Sequence, residues 1–241
     1  MIPLVRGELV KVRTTRTALG FGAAAVILCL LSALVFLLAL DPSSVDTKRE
    51  SLNFGGVLSV PLIIFGIVGA TAEFRHRTLA ASLLIGPVRA KTTAARLVAY
   101  MLTALAVGFA MLTVTLALGV PLLAGTEGPD LAAADYVQVL GGGLIAVVLS
   151  TAIGVGVGVL VRNQVAAVVG ALVWLFILEP LVLALSSDTA DYALLNALAT
   201  TGSGASSDSG LSFGVAVLVL AGWASVFVMA GLLVDARRDV D

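Results

Sequence analysis

The sequence predicts an all-α integral membrane protein with six transmembrane helices in a single domain covering residues 1–241. Three observations predict it. Six apolar runs, at about residues 17–40, 52–72, 97–124, 136–160, 165–186 and 211–234, carry almost no charge. Each is long enough, at about 1.5 Å rise per residue, to cross a hydrocarbon core of about 30 Å. The composition agrees: 59% of the chain is hydrophobic and 12% is charged, with a mean hydropathy of +1.10, whereas ordinary soluble domains are about 25% charged. The polar stretches at 41–51, 73–96, 125–135 and 187–210 are too short for a further folded domain. In lipid a chain must satisfy its own backbone hydrogen bonds, so runs this long and smooth read as helices.

Ahead of the first span, Ile2, Val5, Leu9 and Val12 recur at helical spacing, with Arg6, Lys11, Arg13 and Arg16 around the rest of the turn. This pattern predicts an amphipathic interfacial helix, its apolar stripe in acyl chains and its cations among headgroups, with Glu8, Lys11 and Arg13 on it. The alternative is a disordered basic flank in which Glu8 is incidental. The first apolar run exceeds the length of a signal-peptide core and no A-x-A site follows it, so no cleaved leader is expected. Cys29, the single cysteine, lies inside that run and can form no intramolecular disulfide.

The stretch between the second and third spans reads Glu73-Phe74-Arg75-His76-Arg77-Thr78, then Gly86-Pro87-Val88-Arg89, Lys91 and Arg96. It is longer than two adjacent helices need. Pro87 suits a first helical position, so one or two short helices are expected. Five cations and the only histidine could dock a partner or serve only as a positive topological anchor; the residues leave both open.

In the fourth span Ala146, Ser150, Gly154 and Gly158 form a small-residue stripe, expected to pack within the protomer, with a subunit interface as the alternative. Gly141-Gly142-Gly143 has no evident role beyond loosening the outer end of that span. Glu179, followed by Pro180, is the one ionisable residue well inside a span. It is a candidate for the substrate pathway or an outer gate, with a break in span five at Pro180; otherwise it reaches the interface or hydrogen-bonds to a neighbouring span. Residues 191–198 predict a short amphipathic helix on the outer leaflet, and Gly202–Gly210 a flexible linker.

Twelve of the fourteen Lys and Arg residues fall on one side if the spans alternate, leaving Lys48 and Arg49 opposite. The positive-inside rule then predicts both termini in the cytoplasm of a multi-pass cell-membrane protein. The chain has no Gly-x-x-x-x-Gly-Lys-Ser/Thr phosphate cradle. It also lacks His-Glu-x-x-His, Cys-x-x-Cys and Gly-x-Ser-x-Gly, so no catalytic or metal-ligand residues and no enzyme activity are expected. Membrane lipids are expected surroundings; a nucleic-acid partner is not. Should the chain carry a substrate, the absence of Lys and Arg inside the spans disfavours a strongly anionic one and is compatible with an apolar or amphipathic one.

Glu-Phe-Arg-His-Arg-Thr after the second span, followed by a Pro-x-Arg step before the third, resembles the type-2 ATP-binding-cassette (ABC) exporter permeases. The opening Arg-Gly-Glu-Leu-Val-Lys-Val-Arg resembles the interfacial helix of those permeases, and the likeness extends over the whole chain. Arg77 stands where the family often has Gly. The resemblance implies a half-transporter that pairs with a second permease subunit, as homodimer or heterodimer, and with two separate ATPase subunits. ATP and Mg would be bound on those subunits, with no cofactor in this chain. It implies a cytoplasmic coupling helix between spans two and three, with Glu73, Phe74, Arg75, His76, Arg77 and Arg89 facing the ATPase, and re-entrant helices before the last span. Two other functions remain open. An ion- or proton-coupled transporter wants several intramembrane ionisable groups and often an internal repeat. A non-transporting scaffold or sensor would use the basic stretch for docking alone.

Overall fold

Runs without charge leave the backbone no partner but itself, and among the described residues every regular element is helical and none is a strand. The computed structural model describes residues 1–39, 44–76, 89–126, 128–185, 192–204 and 211–237. In chain order the helices are α1 (Ile2–Thr14), α2 (Arg16–Ala39), α3 (Val45–Ser51), α4 (Phe54–His76), α5 (Arg89–Val114), α6 (Val120–Leu123), α7 (Ala133–Val161), α8 (Gln164–Val173), α9 (Glu179–Leu185), α10 (Leu194–Ser203) and α11 (Phe213–Arg237). π-Helical segments, Thr115–Gly119 and Trp174–Leu178, join α5 to α6 and α8 to α9.

Among the described residues, five stretches are long and apolar enough to cross a membrane: Val45–Ala72, Lys91–Leu123, Ala133–Val161, Gln164–Leu185 and Phe213–Arg237. The 24-residue α2 contributes the shorter apolar stretch Gly20–Ser32.

α7 is the axis. Its small-residue stripe makes a groove, and α4 lies in it with the most extensive helix–helix contact of the protein. A Cβ at Gly154 would stand 2.1 Å from the carbonyl oxygen of Ile63, and one at Gly158 would stand 2.8 Å from the Cβ of Ala70. The stripe is therefore packing within the protomer, as expected. α11 packs on another side of α7, where a Cβ at Gly156 would meet the Phe227 backbone at 2.6 Å. Ile63, Ile67, Ile153, Leu175, Leu198 and Leu220 belong to the main apolar core.

Three expectations are corrected. The stretch 73–96 is not one polar connection: α4 continues to His76 and α5 begins at Arg89, so Glu73–His76 are the last turn of one long helix and Lys91 and Arg96 lie in the next. Residues 77–88, where separate short helices were expected, lie outside the described residues. Span five does not break at Pro180. The turn before it widens into the π segment, where the Glu179 N–H reaches the Trp174 carbonyl, and α9 carries on to Leu185. Proline lacks the N–H that a regular turn would use, and a π turn accommodates the misfit.

The third correction concerns α10. It packs against α4, α7 and α11 where a surface helix was expected, and Leu194, Ala197, Leu198, Thr200, Thr201, Gly202 and Ser203 are buried. The glycines explain how it gets there. A Cβ at Gly142 would lie 2.0 Å from the Thr201 carbonyl oxygen, and one at Gly143 would lie 2.6 Å from the Phe54 ring. Gly142 and Gly143 thus admit neighbours at close range, whereas a Cβ at Gly141 would meet nothing within 4 Å. Gly202, Ser203 and Gly204, expected to begin a linker, instead finish the helix: Gly204 has φ +63° and donates its N–H to the Thr200 carbonyl.

Candidate coupling site at the basic end of the helix bundle

α1, the last turn of α4, the first turns of α5, the α7–α8 turn and the end of α11 meet at one end of the bundle. Polar side chains join them. α1 brings Val5, Glu8, Leu9 and Val12 to one face, because steps of three and four residues share a face. Val12 and Glu8 are buried on that face, while Ile2, Arg6, Lys11 and Arg13 are exposed. Ile2 therefore does not belong to the packed stripe, and Glu8 does.

The carboxylate of Glu8 accepts a hydrogen bond from Lys11 Nζ at 2.6 Å, and its second oxygen lies 3.6 Å from Nε of Arg96 in α5. Arg96 is buried and donates from Nη1 to the Ala70 carbonyl of α4 at 3.3 Å. One guanidinium thus ties α1 to α5 and α4. Removing one partner of a buried ion pair typically costs about 3–5 kcal/mol, because the other charge is left uncompensated. α1 is fastened to the bundle by this pair; it does not merely float beside it.

One turn earlier on α5, Thr93 Oγ1 donates to Oδ2 of Asp235 at 2.7 Å. Nη2 of Arg162 donates to Oδ1 of the same carboxylate at 2.8 Å. Asp235 is buried near the end of α11 and has both oxygens engaged. The Arg162 guanidinium also lies over the Phe74 ring, 5.3 Å from its centroid, within cation–π range. Beside them an open groove is lined by Phe74, Arg162, Asn163, Gln164 and Val165.

Arg162 closes α7 at φ 58°, and among the described residues it is the one non-glycine with positive φ. Glycine is the usual occupant of this position, and a side chain in the left-handed region costs roughly 1–2 kcal/mol. The turn keeps an arginine there, and its side chain supplies the ion pair and the ring contact. Asn163 then caps α8 by accepting from the Ala166 N–H at 3.1 Å.

Of the residues singled out in the sequence, Phe74, Glu8 and Lys11 fall in this cluster, and Arg13 is exposed on α1. Glu73, Arg75 and His76 are in the last turn of α4 and Arg89 is the first residue of α5, but their side chains, like all of Arg77, lie outside what the structure describes. Thr93, Arg162 and Asp235 were not singled out as functional, and Arg96 only as one of the five cations of the 73–96 stretch. Local pattern carries no sign of the Arg162–Asp235 pair. The placement of Glu8 was readable, since its spacing to Val5 and Val12 puts it within the apolar stripe.

Glu179 lies at the other end. It is buried, and Oε1 accepts from the Leu195 N–H at 2.6 Å. The first turn of a helix carries unpaired N–H groups, and Ala193 at the N-cap has no side-chain oxygen to offer. A carboxylate from span five fills that role for α10 across sixteen residues of chain. On the same side Trp223 Nε1 donates to the Tyr192 carbonyl at 3.1 Å, and Trp174 meets Trp223 edge-on at 6.3 Å between ring centroids. The far end of the bundle has an ionic tie too. Arg49 of α3 pairs with Asp135 at the start of α7 and donates to the Gly204 carbonyl at 2.9 Å.

No family model matches the chain, and no curated protein matches it in sequence.

Proposed function

We propose that the chain is the membrane subunit of an ATP-driven exporter of the type-2 ABC permease kind, moving an apolar or amphipathic substrate out of the cytoplasm. The observation that carries this reading is the polar cluster at the basic end. The two helices that flank residues 77–88 enter it through Phe74, Thr93 and Arg96, and α1 is fastened to it through Glu8. A segment held at both flanks on a shared base is suited to receive a push from a soluble partner and to pass it into the bundle. The sequence contains no phosphate cradle of its own, so the ATPase is a separate subunit with ATP and Mg, present in two copies beside two permease subunits.

In this reading α2 is the first of six spans, the basic end faces the cytoplasm of the cell membrane with both termini, and residues 77–88 hold the coupling helix. Glu73, Arg75, His76, Arg77 and Arg89 face the ATPase. The hydrogen bond from the Leu195 N–H to Glu179 Oε1 supplies a structural reason for an intramembrane carboxylate, which supports the permease reading over an ion-coupled transporter.

The test is co-purification from lipid with a P-loop ATPase encoded beside this chain, with ATPase activity measured in nanodiscs. Stable co-purification with permease-dependent hydrolysis is expected; a chain that purifies alone under all conditions overturns the reading. In a Cys29→Ala background, Ser82→Cys and Lys91→Cys are expected to resist an impermeant thiol reagent applied to intact cells. Ready labelling of both would reverse the orientation.

A further inference from the structure

A hydroxyl inside an apolar helix satisfies itself by donating to the carbonyl one turn earlier. Ser59, Thr71, Thr103, Thr113 and Thr151 all do so, each to the carbonyl four residues back. Ser32 of α2 and Thr115, the first residue of the first π segment, do not: neither hydroxyl has a hydrogen-bond partner among the described residues. Ser150 and Thr201 also lack partners, but packed protein encloses them. Ser32 and Thr115 are only half-buried, and both line one crevice between α2 and the span Lys91–Leu123. Cys29, a free thiol three residues before Ser32 and on the same face of α2, lines it too. Asn53 and Phe54 at the α3–α4 junction form its back wall. The Asn53 carbonyl oxygen is already engaged by the Gly56 N–H at 2.7 Å. Three features define what fits. Among the described residues no charged side chain lines the crevice. Its volume is about 40 Å³, room for about three water-sized groups and too little for a sugar or a phosphodiester. Its rim is apolar, with Leu30 and Leu118 exposed.

We propose that this crevice binds the hydroxymethyl head of an uncharged lipid alcohol, whose alkyl chain lies along the exposed side of α2. A hydroxyl both donates and accepts, so one head group can pair with Ser32 and Thr115 together. Polar groups left unpaired in hydrocarbon are costly, and the head removes that cost for both. An alkane would leave them unpaired, and a carboxylate would enter with no cation to meet it. Ser32 closes the apolar stretch Gly20–Ser32, so the head sits at the edge of that stretch. The chain then runs back over Leu31, Leu30 and Ile27, all exposed. The inference rests on α2 and Lys91–Leu123 being surrounded by lipid; it needs neither an ATPase nor export, and it stands if the permease reading fails.

The test uses the full chain in nanodiscs at neutral pH with three photoprobes of equal chain length, each carrying a diazirine near one end: a primary alcohol, the matching carboxylic acid and the matching hydrocarbon. Crosslinked residues are mapped by peptide mass spectrometry. In the wild type the alcohol is expected to label residues 29–32 and 114–119 about tenfold more than either other probe, the scale of one or two hydrogen bonds. Ser32→Ala/Thr115→Val is expected to reduce that labelling to the level of the hydrocarbon. Both substitutions make the helices more apolar, so insertion is preserved. Thr113→Val removes a hydroxyl that already bonds to the Phe109 carbonyl and is expected to leave the labelling unchanged. Equal labelling by the acid or the hydrocarbon in the wild type overturns the site. Alcohol labelling that survives in the double variant also overturns it, because the hydroxyls then hold water or nothing. The comparison of probes needs no variant, so it decides the matter even if the double variant fails to fold.

Discussion

The two ends of this bundle are fastened differently. At the basic end the ties are long side chains: Glu8 to Arg96, Thr93 and Arg162 to Asp235, and Arg162 over Phe74. At the far end α10 is fitted against α4 and α7 at backbone distance, with Gly142 beneath the Thr201 carbonyl and Gly202 against Asn53 and Gly56. Side-chain ties can lengthen, rotate or exchange partners while the helices stay intact. Backbone contacts cannot shift by even a few tenths of an ångström without a clash, since packed interiors do not deform continuously. The far end thus adds a tenth helix, α10, jammed in at backbone distance, whereas α1 and the α7–α8 turn are joined to the basic end through long side chains.

The comparison breaks most sharply at Gly142. Gly142→Val is expected to cost at least about 3 kcal/mol, the upper end for overpacking, seen as loss of the monodisperse species in detergent and a large drop in Tm. A Gly142→Val protein with wild-type Tm would show that α10 is not jammed against α7.

A smaller effect is expected at the basic end. Glu8→Ala leaves Arg96 buried, but that guanidinium keeps the Ala70 carbonyl, so the cost should fall to about 2 kcal/mol, below the usual range for a broken buried pair. Lys11, whose side chain is 53% exposed, should matter by less than about 1 kcal/mol when replaced by Ala. Equal Tm shifts for the two variants would deny Glu8 its role as the fastening of α1.

Glu179 sharpens the picture of how span five is tied to α10. Glu179→Leu removes the acceptor for the Leu195 N–H and should cost about 1 kcal/mol, the scale of a lost N-cap, with faster amide exchange at Leu195. Glu179→Gln keeps an acceptor oxygen and should keep the protection. If Gln preserves protection yet stops substrate movement, the carboxylate charge serves the pathway as well as the anchor; if Leu leaves exchange unchanged, the anchor is absent.

The smallest effect belongs to Gly141, the neighbour of Gly142, where a Cβ would meet nothing within 4 Å. Gly141→Ala should be neutral or stabilising by up to about 1 kcal/mol, the helix-propensity difference. A destabilisation as large as that of Gly142→Val would mean that this segment resents any side chain, for reasons other than contact.

Much of the architecture was legible in the linear sequence because hydrophobicity is local and additive along a helix. The long apolar runs, the amphipathic α1 and the α7 stripe all follow from residue type at a fixed spacing. The limits were equally physical. Charged residues at 73–76 and 89–96 suggested a loop, yet α4 and α5 keep their helical form through them, because a polar face is no obstacle to a helix that has left the apolar layer. Residues 191–198 suggested an outer-leaflet helix and 202–210 a linker, since Gly, Ser and Thr have the composition of both a flexible segment and a tight backbone contact.

The sequence by itself determined that the chain is helical and apolar enough to live in a membrane, and which residues carry charge at the helix ends. Which charges meet was decided only by the tertiary structure. Arg162 and Asp235 lie 73 residues apart and Thr93 and Asp235 lie 142 apart, so nothing in the local pattern can pair them. The same is true of Glu179, whose partner is a backbone N–H, a group that every residue but proline has and that no sequence pattern marks out.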